Sequence, residues 1–346
     1  VDLEAAARRA GIPLRILVTR LRYLGDVILT TPALAALAKR YPGAEIHYLA
    51  EAPYVPVLEG NPHLAGVIPL RPGLAGSLGA VAAIRKLRFS AAIDLFYNPR
   101  SAALLFLSGV PVRVGGSRRI RRRLYTHVAA PPPGVRSAVA HHVAFLRAIG
   151  VEGEETLPRV YLGAAEVEEG RAAIARALGR GERRPVIAFH PGGTWPAKRW
   201  AAESFGRLAV AARAELGAAV VAVAGPGEEG IAREAAAASE GALTPLPPMP
   251  IRLAASALAA CDAVVANDGG VMHLSVALGR PTVAVFGPTE TGIWFPYEGA
   301  GPFAVVTSAT PCAPCHRHVC DGGECLKSIE PAEVLGRLRE VLAWRS

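Results

Sequence analysis

Ala266-Asn267-Asp268-Gly269-Gly270-Val271-Met272-His273-Leu274 is the most informative run of this chain. It follows an apolar strand pattern, Ala263 to Ala266, and opens an apolar helical pattern that ends near Gly279. A second apolar run, Thr282 to Phe286, leads into Gly287-Pro288-Thr289. Two adjacent glycines at a strand-to-helix junction let backbone N–H groups come close to a ligand, and the helix start behind them carries partial positive charge. Such a junction suits a phosphate or diphosphate. Asp268 and His273 add an acceptor and a titratable donor, so the segment reads as part of a sugar-nucleotide site.

Outward from this junction the same grammar repeats. Further strands are expected at Pro185 to Phe189, Ala218 to Ala224 and Leu243 to Pro245, with helices at Ala202 to Leu216, Glu229 to Ser239, Ile251 to Ala260 and Val271 to Leu278. The first half opens with a strand at Arg15 to Thr19, a helical pattern from Val27 to about Arg40 and a strand at Glu45 to Ala50. Gly66 to Pro69, Ala91 to Leu95 and Val112 to Val114 extend that sheet, with helices at Ser77 to Leu87 and Ser101 to Leu107 between them. Alternating strands and helices predict an α/β protein of two doubly wound, Rossmann-like domains facing a cleft. The expected boundaries are 1–163 for the first domain, 164–184 for a connecting helix and basic linker, 185–330 for the second domain, and 331–346 for a closing helix.

The chain has 346 residues, 51% hydrophobic and 19% charged, which favours two packed cores over disorder. No run reaches the roughly 18 apolar residues of a membrane-spanning helix. The start, Val1 to Arg9, is a short charged amphipathic segment unlike a secretory signal, so a cytoplasmic setting is expected. A net charge of +9 points to an acidic partner. Six arginines and no acid lie between Arg113 and Arg123. They read either as a solvated face or as a groove for an anionic acceptor. Nucleic acid is not expected, because only Tyr125 interleaves the run and single-strand platforms need several aromatics.

Four of the five cysteines, Cys312, Cys315, Cys320 and Cys325, fall within fourteen residues. Four thiolates could close a tetrahedral zinc site or hold an iron–sulfur cluster, with His316 and His318 as substitutes. A reduced cysteine-rich loop is the other reading. Cys261, alone beside a strand, reads as a small buried residue.

Three more constellations sit at strand ends. His190-Pro191-Gly192-Gly193-Thr194-Trp195-Pro196-Ala197-Lys198-Arg199-Trp200 offers two glycines, a hydroxyl and two cations where open α/β sheets bind ligands. Gly25-Asp26 places a carboxylate where it can cap the helix at Val27 and also take a proton from an attacking hydroxyl. Ala224-Gly225-Pro226-Gly227-Glu228-Glu229 could set a glutamate against ribose hydroxyls, or simply favour a helix start.

Taken together, Leu24 to Leu34, His190 to Trp200, Asn267 to Leu274 and Phe286 to Thr289 closely resemble family nine glycosyltransferases, the ADP-heptose:lipopolysaccharide heptosyltransferases and their relatives. The resemblance runs from about Arg15 to the last helix. It implies a GT-B fold and an inverting transfer, needing no cofactor, of a sugar from a nucleotide diphosphate to the lipopolysaccharide inner core. By position it makes Asp26 the general base. Thr194 and Lys198 become diphosphate contacts, with Lys198 offsetting leaving-group charge. Asp268, Gly269, Gly270 and His273 become the nucleotide-diphosphate pocket, and Glu228 falls near an acidic ribose contact. The arginine run, including Arg113, Arg118, Arg119 and Arg122, would face an anionic glycolipid, which brings peripheral contact with the inner leaflet of the membrane. Gly269 departs from the family pattern, which often carries a hydroxyl there. The competing readings are another nucleotide sugar with a surface-polysaccharide acceptor, or a non-catalytic nucleotide- or metal-binding module built on the cysteines and arginines.

Overall fold

The computed structural model describes residues 1–116, 119–130, 133–154, 156–179 and 185–344. The chain divides into two compact units, Val1–Tyr161 and Leu162–Ser346.

In the first unit, β1 (Arg15–Thr19), β2 (Glu45–Glu51), β3 (Gly66–Leu70), β4 (Ala91–Asp94), β5 (Val112–Gly116) and β6 (His127–Ala129) form one sheet in the order β3-β2-β1-β4-β5-β6. All the pairings are parallel. Ile16, Leu17 and Val18 of β1 are fully buried. A strand covered on both faces has no polar side to show, which is why these strands read as continuous apolar runs rather than alternating ones.

The second unit repeats the plan with β7 (Val186–His190), β8 (Ala219–Ala222), β9 (Leu243–Pro245), β10 (Ala263–Asn267), β11 (Thr282–Phe286) and β12 (Phe303–Thr307), ordered β12-β11-β10-β7-β8-β9. Each sheet therefore reverses direction once, between β1 and β4 and between β7 and β10. Ligands of open α/β sheets bind beyond the strand carboxyl ends at such reversals. Thr19 pairs with Asp94 at the first and His190 with Ala266 at the second.

Several local features differ from the sequence expectation. The helix expected from Val27 to Arg40 is two helices, Leu24–Ile28 and Thr31–Arg40. Pro32 has no N–H to give the Ile28 carbonyl, and the Thr31 hydroxyl bonds that carbonyl instead at 2.8 Å. The Ala164–Leu178 helix is not a free connector. Its Gly170 lies so close to the helix Ile251–Ala259 that an added Cβ would stand 2.2 Å from the Ser256 backbone. Glu166 of the same helix takes a bidentate pair from Arg252 at 2.6 and 2.9 Å. Strands β6 and β12, both at sheet edges, were not expected from the sequence. Residues 180–184 of the expected linker lie outside the described residues.

Candidate active site

The loop after β7 is held from within. Asn267, the last residue of β10, accepts from the Trp200 amide at 3.0 Å and donates to the carbonyls of Pro191 and Gly192 at 2.9 and 3.0 Å. Glu228 ties this loop to the one after β8. Its carboxylate accepts from the amides of Gly193 at 2.8 Å and Gly225 at 2.9 Å and lies 3.2 Å from His190 Nε2. Burial pushes the Glu228 carboxyl up, but the His190 hydrogen bond and charge and the two amides outweigh it and hold the pKa at about 2. Gly192 is needed here because a Cβ would stand 2.2 Å from the Glu228 carboxylate.

The loop ends with Thr194 exposed at its tip and Lys198 folded back. Lys198 Nζ lies 2.6 Å from Asp268 Oδ2 and 4.4 Å from the centre of the Trp195 ring. Thr289, in the loop after β11, donates its hydroxyl to the same oxygen at 2.5 Å. Asp268 is 3% exposed, so two donors from different loops fix a nearly buried carboxylate. Behind it the helix Gly270–Ala277 begins, with its first amides lacking intrahelical acceptors. Gly269 itself is extended, with room around it. His273 is buried one turn along, with Nδ1 3.1 Å from the Tyr297 hydroxyl. A cation held by a fixed carboxylate thus stands beside the amides of a helix start at one strand edge, the kind of place where open α/β folds take anionic ligands.

In the first unit Asp26 follows β1. It is not the cap of a helix beginning at Val27, as the sequence suggested. It lies in the first turn of Leu24–Ile28 and accepts from the Tyr23 amide at 3.0 Å. Its other oxygen pairs with Arg20. The Arg20 guanidinium also donates to the Leu95 carbonyl at 3.3 Å and lies over the Phe96 ring at 4.5 Å. A cavity of about 240 Å³ opens here, lined by Arg20, Phe96, Tyr97, Asn98 and Arg121. Its floor is organised by Asp94, fully buried at the end of β4, which accepts from the amides of Phe96 and Tyr97 and from the Tyr125 hydroxyl at 2.7 Å. Burial pushes the Asp94 carboxyl above its usual range.

The arginine run divides by role. Arg113 is a pin: it donates to the carbonyls of Leu124 and Val110 at 2.8 and 2.6 Å, which does not fit an acceptor contact. Arg121 borders the cavity and donates to the Tyr97 carbonyl at 3.2 Å, and Arg122 is exposed on the same 3₁₀ turn, Arg119–Leu124. Arg119 has its backbone in that turn, while its side chain and the whole of Arg118 lie outside the described residues.

A family model described as glycosyltransferase family 9 (heptosyltransferase) matches residues 80–325, well over half of the chain. The chain belongs to glycosyltransferase family 9. It is accordingly a glycosyltransferase. Lipopolysaccharide heptosyltransferase 2 of Escherichia coli K12 is 28% identical over 306 residues, spanning 80% of this chain and 84% of the relative. The solved glycosyl transferase family 9 protein of Veillonella parvula superposes with a TM-score of 0.80 at 24% identity, covering 95% of this chain and 97% of that one. The ADP-heptose lps heptosyltransferase II of E. coli gives 0.80 at 25% identity, covering 95% and 98%. The two six-stranded units are those of the family's GT-B fold.

In this family 9 transferase nothing among the described residues supports the zinc or iron–sulfur site that four thiolates could form. Cys312, Cys315 and Cys320 are exposed, Cys325 is buried, and among the described residues no group of three or more His, Cys, Asp or Glu is placed to hold a metal. Burial, with the neighbouring thiols, pushes the Cys325 pKa up. The segment is instead a wall of the site. The amides of Cys315 and His316 bond the Pro288 carbonyl, the His318 carbonyl accepts from Ala197, and the His318 ring stacks on Trp195 at 3.7 Å. Cys261 is buried, and its thiol is pushed up to about 12 by burial. Arg20, Asn267 and Thr289 join the site without individual roles read from sequence, and Arg121 was read only as one of the arginine run. Asn267 and Thr289 lay inside quoted motifs, but Arg20 is one arginine among many, with no local signal.

Proposed function

We propose that this protein transfers a heptose, or a closely related sugar, from ADP-heptose to the inner core of lipopolysaccharide with inversion at the anomeric carbon. The observation that carries the reading is Lys198 held on Asp268 at the start of the Gly270–Ala277 helix. A nucleoside diphosphate there meets an ammonium, helix-terminal amides and the loops fixed by Asn267 and Glu228. The names of the E. coli relatives supply the heptose, the ADP and the lipopolysaccharide. Asp268, Gly269, Gly270, Thr194 and His273 would frame the donor, with Glu228 on the ribose side.

In the reaction, an acceptor hydroxyl oxygen attacks the anomeric carbon, its proton passes to Asp26, and the bond to the diphosphate breaks with its electron pair leaving on ADP. Lys198 and the amides balance that charge as it develops. Arg20 holds the Asp26 carboxylate in place while its second oxygen also accepts from the Tyr23 amide. Arg121 and Arg122 would meet the carboxylates or phosphates of an anionic glycolipid acceptor, which the protein would approach at the inner leaflet as a peripheral partner.

The test is a thermal-shift panel of ADP, GDP, UDP and TDP, followed by transfer assays with the matching sugar. A nucleotide that binds only the folded chain raises its apparent stability. Selective stabilisation by ADP is expected. Selection of another nucleotide would keep the chemistry and change the sugar, and silence towards all of them would remove the donor site.

A further inference from the structure

We propose that the Tyr23 ring is the platform on which the acceptor sugar stacks, and that this contact with the C–H face of the sugar sets an acceptor hydroxyl against Asp26. The inference deepens the transferase reading and rests on it, because it needs Asp26 to take the acceptor proton.

Tyr23 does two separable things. Its backbone amide donates to Asp26 Oδ2 at 3.0 Å, a task that any residue except proline could perform. Its ring takes no part in that bond and is 53% exposed, so packing against the core does not account for it. The Arg22 guanidinium lies over the ring at 5.4 Å, which covers one face and leaves the other to a ligand. Tyr23, Phe106 and Trp344 are the three large aromatic rings left exposed among the described residues. Phe106 and Trp344 stand at the far ends of the helices Pro99–Leu107 and Pro331–Ala343. Only Tyr23 follows directly on a strand carboxyl end, that of β1.

Asp26 limits how a sugar can lie. Its side chain is mostly buried, with one oxygen on Arg20 and the other on the Tyr23 amide. An acceptor hydroxyl must come within about 3 Å of this carboxylate to give up its proton. The ring hangs from the residue whose amide already touches Asp26, so a pyranose presenting that hydroxyl comes into contact with the ring. A pyranose carries hydroxyls at its edge and C–H groups on its faces. A tyrosine ring covers such a face at small entropic cost, having only two side-chain torsions to fix. Tyr54, in the 3₁₀ turn Ala52–Val57, shares this corner, because the Glu51 amide bonds the Leu21 carbonyl at 2.9 Å and ties that turn to the Tyr23 loop. Burial, reinforced by Glu51 and Tyr23, pushes the Tyr54 pKa up, so it stays an uncharged hydroxyl beside the platform. The division of labour is chemical: guanidiniums such as Arg121 answer to charge, which any anion supplies, whereas a flat ring answers to the sugar itself.

The test uses the full chain, ADP-heptose as donor and an acyl-free inner-core oligosaccharide as acceptor. Tyr23→Leu keeps the backbone amide and an apolar side chain but loses the flat ring. It should raise the acceptor KM roughly tenfold, with a smaller change in kcat, as one sugar face is uncovered. Tyr23→Phe keeps the ring and should stay within about threefold of wild type. The ADP-induced rise in unfolding temperature should be the same in all three proteins, which separates lost stacking from a lost fold. An acceptor KM unchanged in Tyr23→Leu would overturn the platform. So would a loss confined to kcat, which would mean that residue 23 acts only through Asp26. Calorimetric titration of the oligosaccharide tells the two readings apart. Binding weakened by Tyr23→Leu, in a wild type that transfers nothing from ADP-heptose, would uphold the platform and overturn the donor reading alone. A wild type that neither binds the oligosaccharide nor transfers to it would overturn the acceptor reading, and the platform with it.

Discussion

The Lys198 ammonium lies 2.6 Å from Asp268 Oδ2, the same oxygen that takes the Thr289 hydroxyl at 2.5 Å. The carboxylate keeps the ammonium aimed at the helix start rather than roaming in solvent, and the Trp195 ring backs it from one side. In a diphosphate transfer such an ammonium matters most when the leaving group gains charge. Lys198→Ala should therefore lower kcat roughly 100- to 1,000-fold, with a smaller change in donor KM. Thr289→Val should cost less, because the Lys198 contact still orients Asp268. Steady-state kinetics on the two variants checks the order.

Asp26 offers a different split. As the proposed base it touches acceptor, not donor, so Asp26→Asn should lower kcat by about 100-fold or more and leave the ADP-induced rise in unfolding temperature unchanged. Arg20 orients this carboxylate through Oδ1 while the Tyr23 amide holds Oδ2. Arg20→Lys should retain more turnover than Arg20→Gln, since a cation still faces Asp26. Near-wild-type turnover in Asp26→Asn would remove the base assignment.

Much of this was legible in sequence where chemistry and chain position coincide. An apolar run followed by glycines and a polar residue reads as both a strand end and a ligand edge, which singles out the segments of Lys198 and Asp268. Asp26 is a weak signal alone and takes its expected role from the family resemblance. What sequence could not supply is direction. Arg113 and Arg121 are alike in type and eight positions apart, yet one guanidinium is turned onto backbone carbonyls and the other borders a cavity. Only the path of the chain after β5 separates them. Asp94 looked like an ordinary strand end because Tyr125, which bonds it, is 31 residues away. The cysteines suggested metal because spacing counts ligands without placing them; the same segment spends its backbone on Pro288 and Ala197. Three-residue β6 is too short to show a pattern.

Gly192 gives a test of the loop without touching any charged group. A Cβ there would stand 2.2 Å from a Glu228 oxygen and 2.4 Å from its carboxyl carbon. Glu228 cannot swing aside without giving up the Gly193 and Gly225 amides. Gly192→Ala should thus destabilise the protein by about 1–3 kcal/mol and weaken ADP binding. Denaturant unfolding and calorimetric titration measure the two effects. Gly230→Ala, where nothing lies within 4 Å of the added atom, is the control and should be close to neutral.

The Glu228 carboxylate also sets an acid limit on the second unit. Its pKa falls from the ordinary 4.5 to about 2 on folding, so it is a depressed acid. Such a group stabilises the fold fully above about pH 4.5, and the contribution is lost as pH falls towards 2. A shift of this size corresponds to about 3 kcal/mol at neutral pH. The side chain is partly exposed, so solvent screens part of that contribution. Glu228→Gln removes the charge while keeping much of the shape. Its unfolding free energy should lie below wild type at pH 7, and the gap should narrow steadily from about pH 4.5 downward as wild-type Glu228 takes up its proton. Urea titrations at a series of pH values read this directly. A gap that stayed constant from pH 7 to pH 3 would mean that shape, rather than the charge held by His190 and the two glycine amides, is what Glu228 contributes.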